Sequence, residues 1–170
     1  MAGQVVHAEE RFREIEPPTD RARFEQVLAR HHRRLRRVAC GIVADPNRVE
    51  DVLQEAYLKA YRKLPRLFAN EAHEAVWLYR VVYRCCLDEL RRARRSRETP
   101  SVELHAVAPA RGDVLDGLRT LSAQDRAVLL LVDLAGFTYD EAAKVLHVPR
   151  GTVASRLSAA RGRLRSVLDA

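Results

Sequence analysis

The sequence predicts an all-α chain built as two small helical domains joined by a flexible linker, with a helix-turn-helix in the second. Three observations carry that expectation. Apolar residues recur every three or four positions through most of residues 20–95 and 114–168, the period of helices that bury one face. The chain has only seven Gly and 6% aromatic residues, and few β-branched clusters, which disfavours a sheet. Between the periodic blocks, "SRETPSVELHAVAPARGD" has two prolines, mixed charge and no helical period, the composition of a linker over residues 96–113. A chain of 170 residues is long enough for two small cores.

Each element has its own signal. Residues 1–20 are polar, end in "EPPTD" and read as a disordered tail. From Asp20, the residues Phe24, Val27, Leu28, His31, Leu35, Val38, Ala39 and Ile42 fall on one helical face. "ADPN" breaks that helix, with Asp45 as the next N-cap and Pro46 at the first helical position. The second helix, expected to stop near Pro65, buries Val52, Leu53, Ala56, Tyr57, Ala60, Tyr61 and Leu64. "RLFANEAHEA" reads as a loop, and a third helix is expected over residues 76–95, with Val81, Val82, Cys85, Cys86, Leu90 and Ala93 inward. The domain at 21–95 is thus three helices. The domain at 114–170 is read as helices at 114–120, 123–134, 138–146 and 150–168. Ser122 opens the second of these and Gly136 ends it. Thr138 and Glu141 have the spacing of a capping box.

Charge narrows the function. Net charge is +7, with 27 Arg against 3 Lys, and the arginines come in blocks. Residues 30–37 and 150–165 each hold five Arg and no acid, and residues 80–97 hold seven Arg against Asp88 and Glu89. Separated basic blocks point to a polyanion, and nucleic acid is the usual one. No run approaches eighteen apolar residues, so no membrane span is expected. The N-terminus lacks the apolar core of a signal peptide, which predicts a cytoplasmic protein. Cys40, Cys85 and Cys86 have neither a disulfide framework nor metal-ligand spacing, and read as small buried hydrophobes. Neither a Ser–His–Asp order nor a glycine-rich phosphate loop is present, so no enzyme, cofactor or metal is expected.

Three stretches carry function. "TYDEAAKVLHVPRGTVASRLSAARGRLR" reads as a helix-turn-helix running from about Tyr139 to Ser158, with Pro149 and Gly151 expected to fix the turn and the close start of the second helix. That helix offers Arg150, Thr152, Ser155 and Arg156 on its free face, at the end that enters the major groove. On the third helix, Arg80, Arg84, Asp88, Arg91 and Arg95 line one stripe, a track for phosphates, with Trp77 at its head. Trp77 alone reads more readily as core than as contact. On the second helix, Asp51, Gln54, Glu55, Leu58 and Arg62 form the face opposite the buried stripe. A merely solvated face explains the acids but not Leu58.

Taken in order and spacing, these stretches resemble the extracytoplasmic-function (ECF) subfamily of sigma-70-type sigma factors, over residues 24–168. The resemblance implies an alternative-sigma initiation factor that directs bacterial core RNA polymerase to promoter DNA and melts it. Asp51, Gln54, Glu55 and Leu58 would dock on a coiled coil of the β′ subunit, with the β subunit also in contact. The loop at residues 69–74, including Asn70, Glu71, His73 and Glu74, would pocket a flipped base of the −10 element, and Trp77, Arg80, Arg84 and Arg91 would hold the strand. Arg150, Gly151, Thr152, Ser155 and Arg156 would contact the −35 element. Many relatives are held inactive by an anti-sigma factor, which is thus a candidate third partner. Arg84, Ala154, Ala159 and Glu74 depart from residues common in the family. The rival reading, a stand-alone helix-turn-helix regulator, accounts for residues 114–170 but leaves the Asp51 face and the Trp77 helix idle.

Overall fold

The computed structural model describes residues 20–43, 45–63, 71–98 and 114–169. The predicted tail, Leu64, Pro65, Asn70 and the linker beyond Glu98 lie outside the described residues. Helix α1 (Asp20–Val43) turns Phe24, Val27, Leu35, Val38, Ala39 and Ile42 into the core, as the period requires. Helix α2 (Pro46–Tyr61) starts where the cap signal puts it. Asp45 sits in extended conformation and its carboxylate accepts from the Asn47 N–H at 3.1 Å. Helix α3 (Glu71–Glu98) lies across both, so Leu35, Ile42, Leu53 and Leu78 are sealed from solvent. Tyr61 of the expected buried stripe is 45% exposed, with its ring tilted on Phe24 at 5.5 Å.

Two boundaries depart from expectation in the first domain and the next. The segment expected as loop is already helical from Glu71, because "EAHEA" holds good helix formers and no breaker. Glu74 anchors that first turn: it is buried and ion-paired with Arg30 of α1 at 3.2 Å. In the second domain, α4 (Val114–Thr120) and α5 (Ala123–Leu129) follow prediction, and Ser122 accepts from the Asp125 N–H. The expected helix to residue 134 instead widens into a π-helical turn at Leu130–Leu134, closed by Ala135 N–H donating to Leu130 O at 2.9 Å. Leu129, Leu130 and Leu131 are all buried, with Leu130 set against Gly41 of α1. Gly136 then reverses the chain at φ 78°.

Helix α6 (Tyr139–Leu146) has the full capping box between Thr138 and Glu141. Helix α7 (Arg150–Leu168) buries Val153, Leu157 and Ala160 against α5 and α6. Helix α7 covers residues 150–168 as expected, beyond the motif's expected end at Ser158. Ser158 is an exposed residue in mid-helix, and α7 runs on without a break to Leu168 because no glycine or proline with breaking geometry follows and Leu164 still packs on the core. The turn between α6 and α7 is set by His147 in the left-handed region at φ 58°, not by Gly151, whose Cβ position has nothing within 4 Å. All described residues in regular structure are helical, as predicted. The cysteines are free: Cys85 and Cys86 are buried and Cys40 half-buried. Unforeseen in the sequence, the two domains pack on each other, α3 against α6 and α1 against α5 and the π turn.

Candidate functional site

The outward face of α2 is built by elimination. Val49, Val52, Leu53, Ala56 and Ala60 must face α1 and α3, which leaves Asp51, Gln54 and Leu58 in solvent. Leu58 is 56% exposed, more than any other large hydrophobic among the described residues. Glu55 differs from its neighbours. It is half-buried and held by Lys59 at 2.7 Å and Arg92 of α3 at 3.2 Å. The hydrogen bonds from Lys59 and then Arg92 pull its carboxyl below the ordinary carboxylate value. The face therefore presents one free carboxylate, an amide and a leucine, beside a carboxylate already neutralised within the chain.

Along α3, the predicted residues separate. His73 is exposed, whereas Glu74 is buried by its pair with Arg30 and takes no place on an open surface. Only the backbone of Glu71 is described. Trp77 is half-buried against the core, the blander of its two readings, with part of its ring left accessible. Arg80 donates through Nε and an Nη to the Lys144 carbonyl of α6, at 2.9 and 2.5 Å. Arg84 is exposed, and Arg91 bonds Asp88 one turn back at 3.0 Å.

On α7, Arg150 leans over the Tyr139 ring at 5.8 Å and pairs loosely with Asp140 at 3.4 Å. The Ser155 hydroxyl donates to the Thr152 carbonyl at 3.2 Å. Gly151 and Ser155 are exposed, and Thr152 and Arg156 half-buried. Of the four departures noted in the sequence, the two on this helix are Ala154, half-buried, and Ala159, exposed. Arg84, Arg91 and Arg156 converge with His147 and Tyr83 on one cleft of about 390 Å³ between α3 and the α6–α7 turn. Burial raises the Tyr83 hydroxyl's pKa, and Arg156 and Arg91 partly offset that rise. Sequence reasoning placed these cations on two separate surfaces. Their meeting is a tertiary fact, as is the hydrogen bond that buried Arg126 of α5 donates to the Ile42 carbonyl of α1 at 2.9 Å.

Comparison with known proteins assigns both halves. Residues 27–96 match the family model for Sigma-70 region 2, and residues 111–164 that for Sigma-70, region 4. ECF RNA polymerase sigma factor SigM of Mycobacterium tuberculosis is 36% identical over 155 residues, 88% of this chain and 79% of that protein. The chain belongs to the ECF sigma factors. The sigma factor is 26% identical over 165 residues to the ECF RNA polymerase sigma-E factor of Escherichia coli, covering 84% of each. Its fold is shared with sigma factor RpoE of Bartonella quintana, solved in complex with the anti-sigma factor NepR. That match has a TM-score of 0.71 and 28% identity, over 86% of this chain and 97% of that one. CnrH, solved with the cytosolic domain of CnrY, matches with a TM-score of 0.63 and 28% identity over 88% of each chain.

As a member of that family, the sigma factor is an alternative transcription-initiation factor. Its α1–α3 unit corresponds to region 2, and α4–α7 to region 4, whose two last helices form the helix-turn-helix. No described helix is long and apolar enough to cross a membrane. No group of three or more His, Cys, Asp or Glu suited to a metal ion occurs among the described residues.

Proposed function

We propose that this sigma factor docks on core RNA polymerase through Asp51, Gln54 and Leu58 of α2, then reads promoter DNA with α3 and α7. The observation that carries the docking face is Leu58, an apolar side chain left 56% exposed between polar neighbours in a helix whose other large apolar residues are mostly inward. A small apolar centre with a charged rim supplies binding energy in the middle and register at the edge. Glu55 acts at one remove: tied to Lys59 and Arg92, it fixes the helix faces around the docking surface. In the −10 region, His73, Trp77, Arg84 and Arg91 are the contacts, joined by Arg80 once it leaves Lys144. Glu74 supports them by holding the start of α3 on α1. In the −35 region, Arg150, Thr152, Ser155 and Arg156 enter the major groove, and the open space at Gly151 admits the sugar-phosphate backbone.

The factor performs no covalent chemistry and works in the cytoplasm, where its polymerase is. An anti-sigma factor is proposed as a third partner, because the similar sigma factor RpoE of Bartonella quintana was solved in complex with one, NepR. The test is run-off transcription with sigma-free core polymerase on genomic DNA, comparing wild type with Leu58→Arg and Asp51→Arg. Discrete transcripts are expected from wild type. Replacing a central interface residue costs about 2 kcal/mol, about 30-fold in polymerase affinity. Transcripts undiminished by Leu58→Arg at limiting protein, with circular dichroism unchanged, would rule out this face.

A further inference from the structure

One cleft of the molecule collects more positive charge than its own acid can balance. It lies between α3 and the α6–α7 turn and encloses about 390 Å³. Arg84 and Arg91 stand about two turns apart on one face of α3, and Arg156 faces them from α7. A single acid, Asp88, lines the cleft, and Arg91 already bonds it at 3.0 Å. Neither Arg84 nor Arg156 has an ion pair among the described residues.

The two walls come from different domains, so neither domain alone brings these guanidinium groups together. Burial raises the Tyr83 hydroxyl's pKa, while Arg156 and Arg91, from opposite walls, pull it back. Both cations therefore act on one point of the cleft. Like charges that face each other repel, and an anion placed between them replaces that repulsion by attraction on both sides. Guanidinium forks suit phosphate oxygens, which accept paired hydrogen bonds. Gln124 of α5 adds an amide donor at the edge.

The floor has the opposite character. Val145 and Leu146 of α6 are buried, and with Leu87 and Val148 they make an apolar base beside the Tyr83 ring. Ligand pockets span about 300–1,000 Å³, and this cleft is at the small end of that range. It has room for one nucleotide and none for a duplex. An apolar floor between cationic walls selects a molecule with a flat body and a phosphate group.

We propose that this cleft binds a small phosphorylated ligand of nucleotide size, with its phosphates between Arg84, Arg91 and Arg156 and its base against Tyr83 and Val148. The site stands on the cleft alone. Its effect on transcription rests on the reading of α3 and α7 as DNA contacts. The same three arginines cannot hold ligand phosphates and promoter phosphates at once, so the ligand competes with DNA.

The test is isothermal titration calorimetry on the full chain with ADP, GDP, inorganic pyrophosphate and adenosine. ADP or GDP should bind at one saturable site, pyrophosphate more weakly for want of the floor, and adenosine not at all. Gln124→Glu should lower nucleotide affinity about tenfold, by setting a carboxylate against the same arginines. Glutamate is favourable in the first turn of a helix, so the variant should fold. Arg33→Gln makes the same change in net charge on the exposed face of α1 and should leave affinity unchanged. Gly41→Arg should weaken binding while touching no lining residue. A Cβ there would stand 2.5 Å from Leu130 Cδ1, so the arginine wedges α1 from the second domain and separates the walls.

No saturable binding of either nucleotide up to about 1 mM overturns the site. Unchanged affinity in Gln124→Glu, with circular dichroism unaltered, places the nucleotide elsewhere and overturns the cleft. Equal losses in Gln124→Glu and Arg33→Gln also overturn it, since they report only general attraction to a basic protein. Pyrophosphate binding as tightly as ADP overturns the nucleotide class. In fluorescence anisotropy, a bound nucleotide that fails to displace a DNA duplex removes the competition and the DNA role of these arginines, while calorimetry still reads the site.

Discussion

Thr138 and Glu141 show how a pair of side chains sets where a helix starts. The Glu141 carboxylate accepts from the Thr138 N–H and hydroxyl, and these bonds hold its pKa below the ordinary carboxylate value of 4.5. Thr138→Ala should cost about 1 kcal/mol, measured by urea unfolding at neutral pH. The pH sign follows from the lowered pKa. The stabilisation is complete above the unfolded carboxylate value and is lost as pH falls through the lower folded one. The stability gap between wild type and Glu141→Gln should therefore close below about pH 4. The cysteines give a second check at this scale. Burial raises the pKa of both the Cys85 and Cys86 thiols, keeping them protonated and shielded. Iodoacetamide at pH 8 should leave both unlabelled in the native protein, and mass spectrometry should find all three cysteines modified after unfolding.

At the scale of the element, α7 has two tasks on opposite faces. Leu157 is 1% exposed, and Leu157→Ala should cost about 2–5 kcal/mol, with early amide exchange in α4–α7. Arg150 lies on the outer face, so Arg150→Ala should leave stability within about 0.5 kcal/mol. It should lower the slope of log affinity for duplex against log salt by about 0.9, the value of one phosphate no longer neutralised. Such faces were legible in the sequence because a helix sorts its residues by period alone. The start of α3 was not. "EAHEA" holds good helix formers but follows a loop-like stretch, and the pairing of its buried Glu74 with Arg30 lies 44 positions away in the chain. The π turn escaped because Leu129, Leu130 and Leu131 fit one apolar helix by composition, and nothing in their order marks where the turn widens.

For the whole molecule, the interface between the domains is the feature with most consequence. Unfolding followed by calorimetry should be one cooperative transition in wild type, because each domain covers part of the other. Gly41→Arg should separate it into two. A single transition in both proteins would show that the two cores do not gain stability independently. Duplex binding by the isolated wild-type chain should be weak at physiological salt and steeply salt-dependent, since the exposed arginines are attracted to any phosphate.

The sequence by itself determined the all-α fold, the caps at Asp45, Ser122 and Thr138, and most of the residues that share each buried helical face. These rest on interactions within a few residues, where periodicity and capping chemistry are read directly. Only the tertiary structure decided that Arg92 joins Lys59 on Glu55, that Arg30 neutralises Glu74, and that Trp77 leans on the core. It alone decided that Arg80 and Arg126 reach across to the helix ends of the opposite domain. Those partners are separated by 64 and 84 positions in the chain, and a backbone carbonyl is the same at every residue. No pattern of side chains can announce which one an arginine will find.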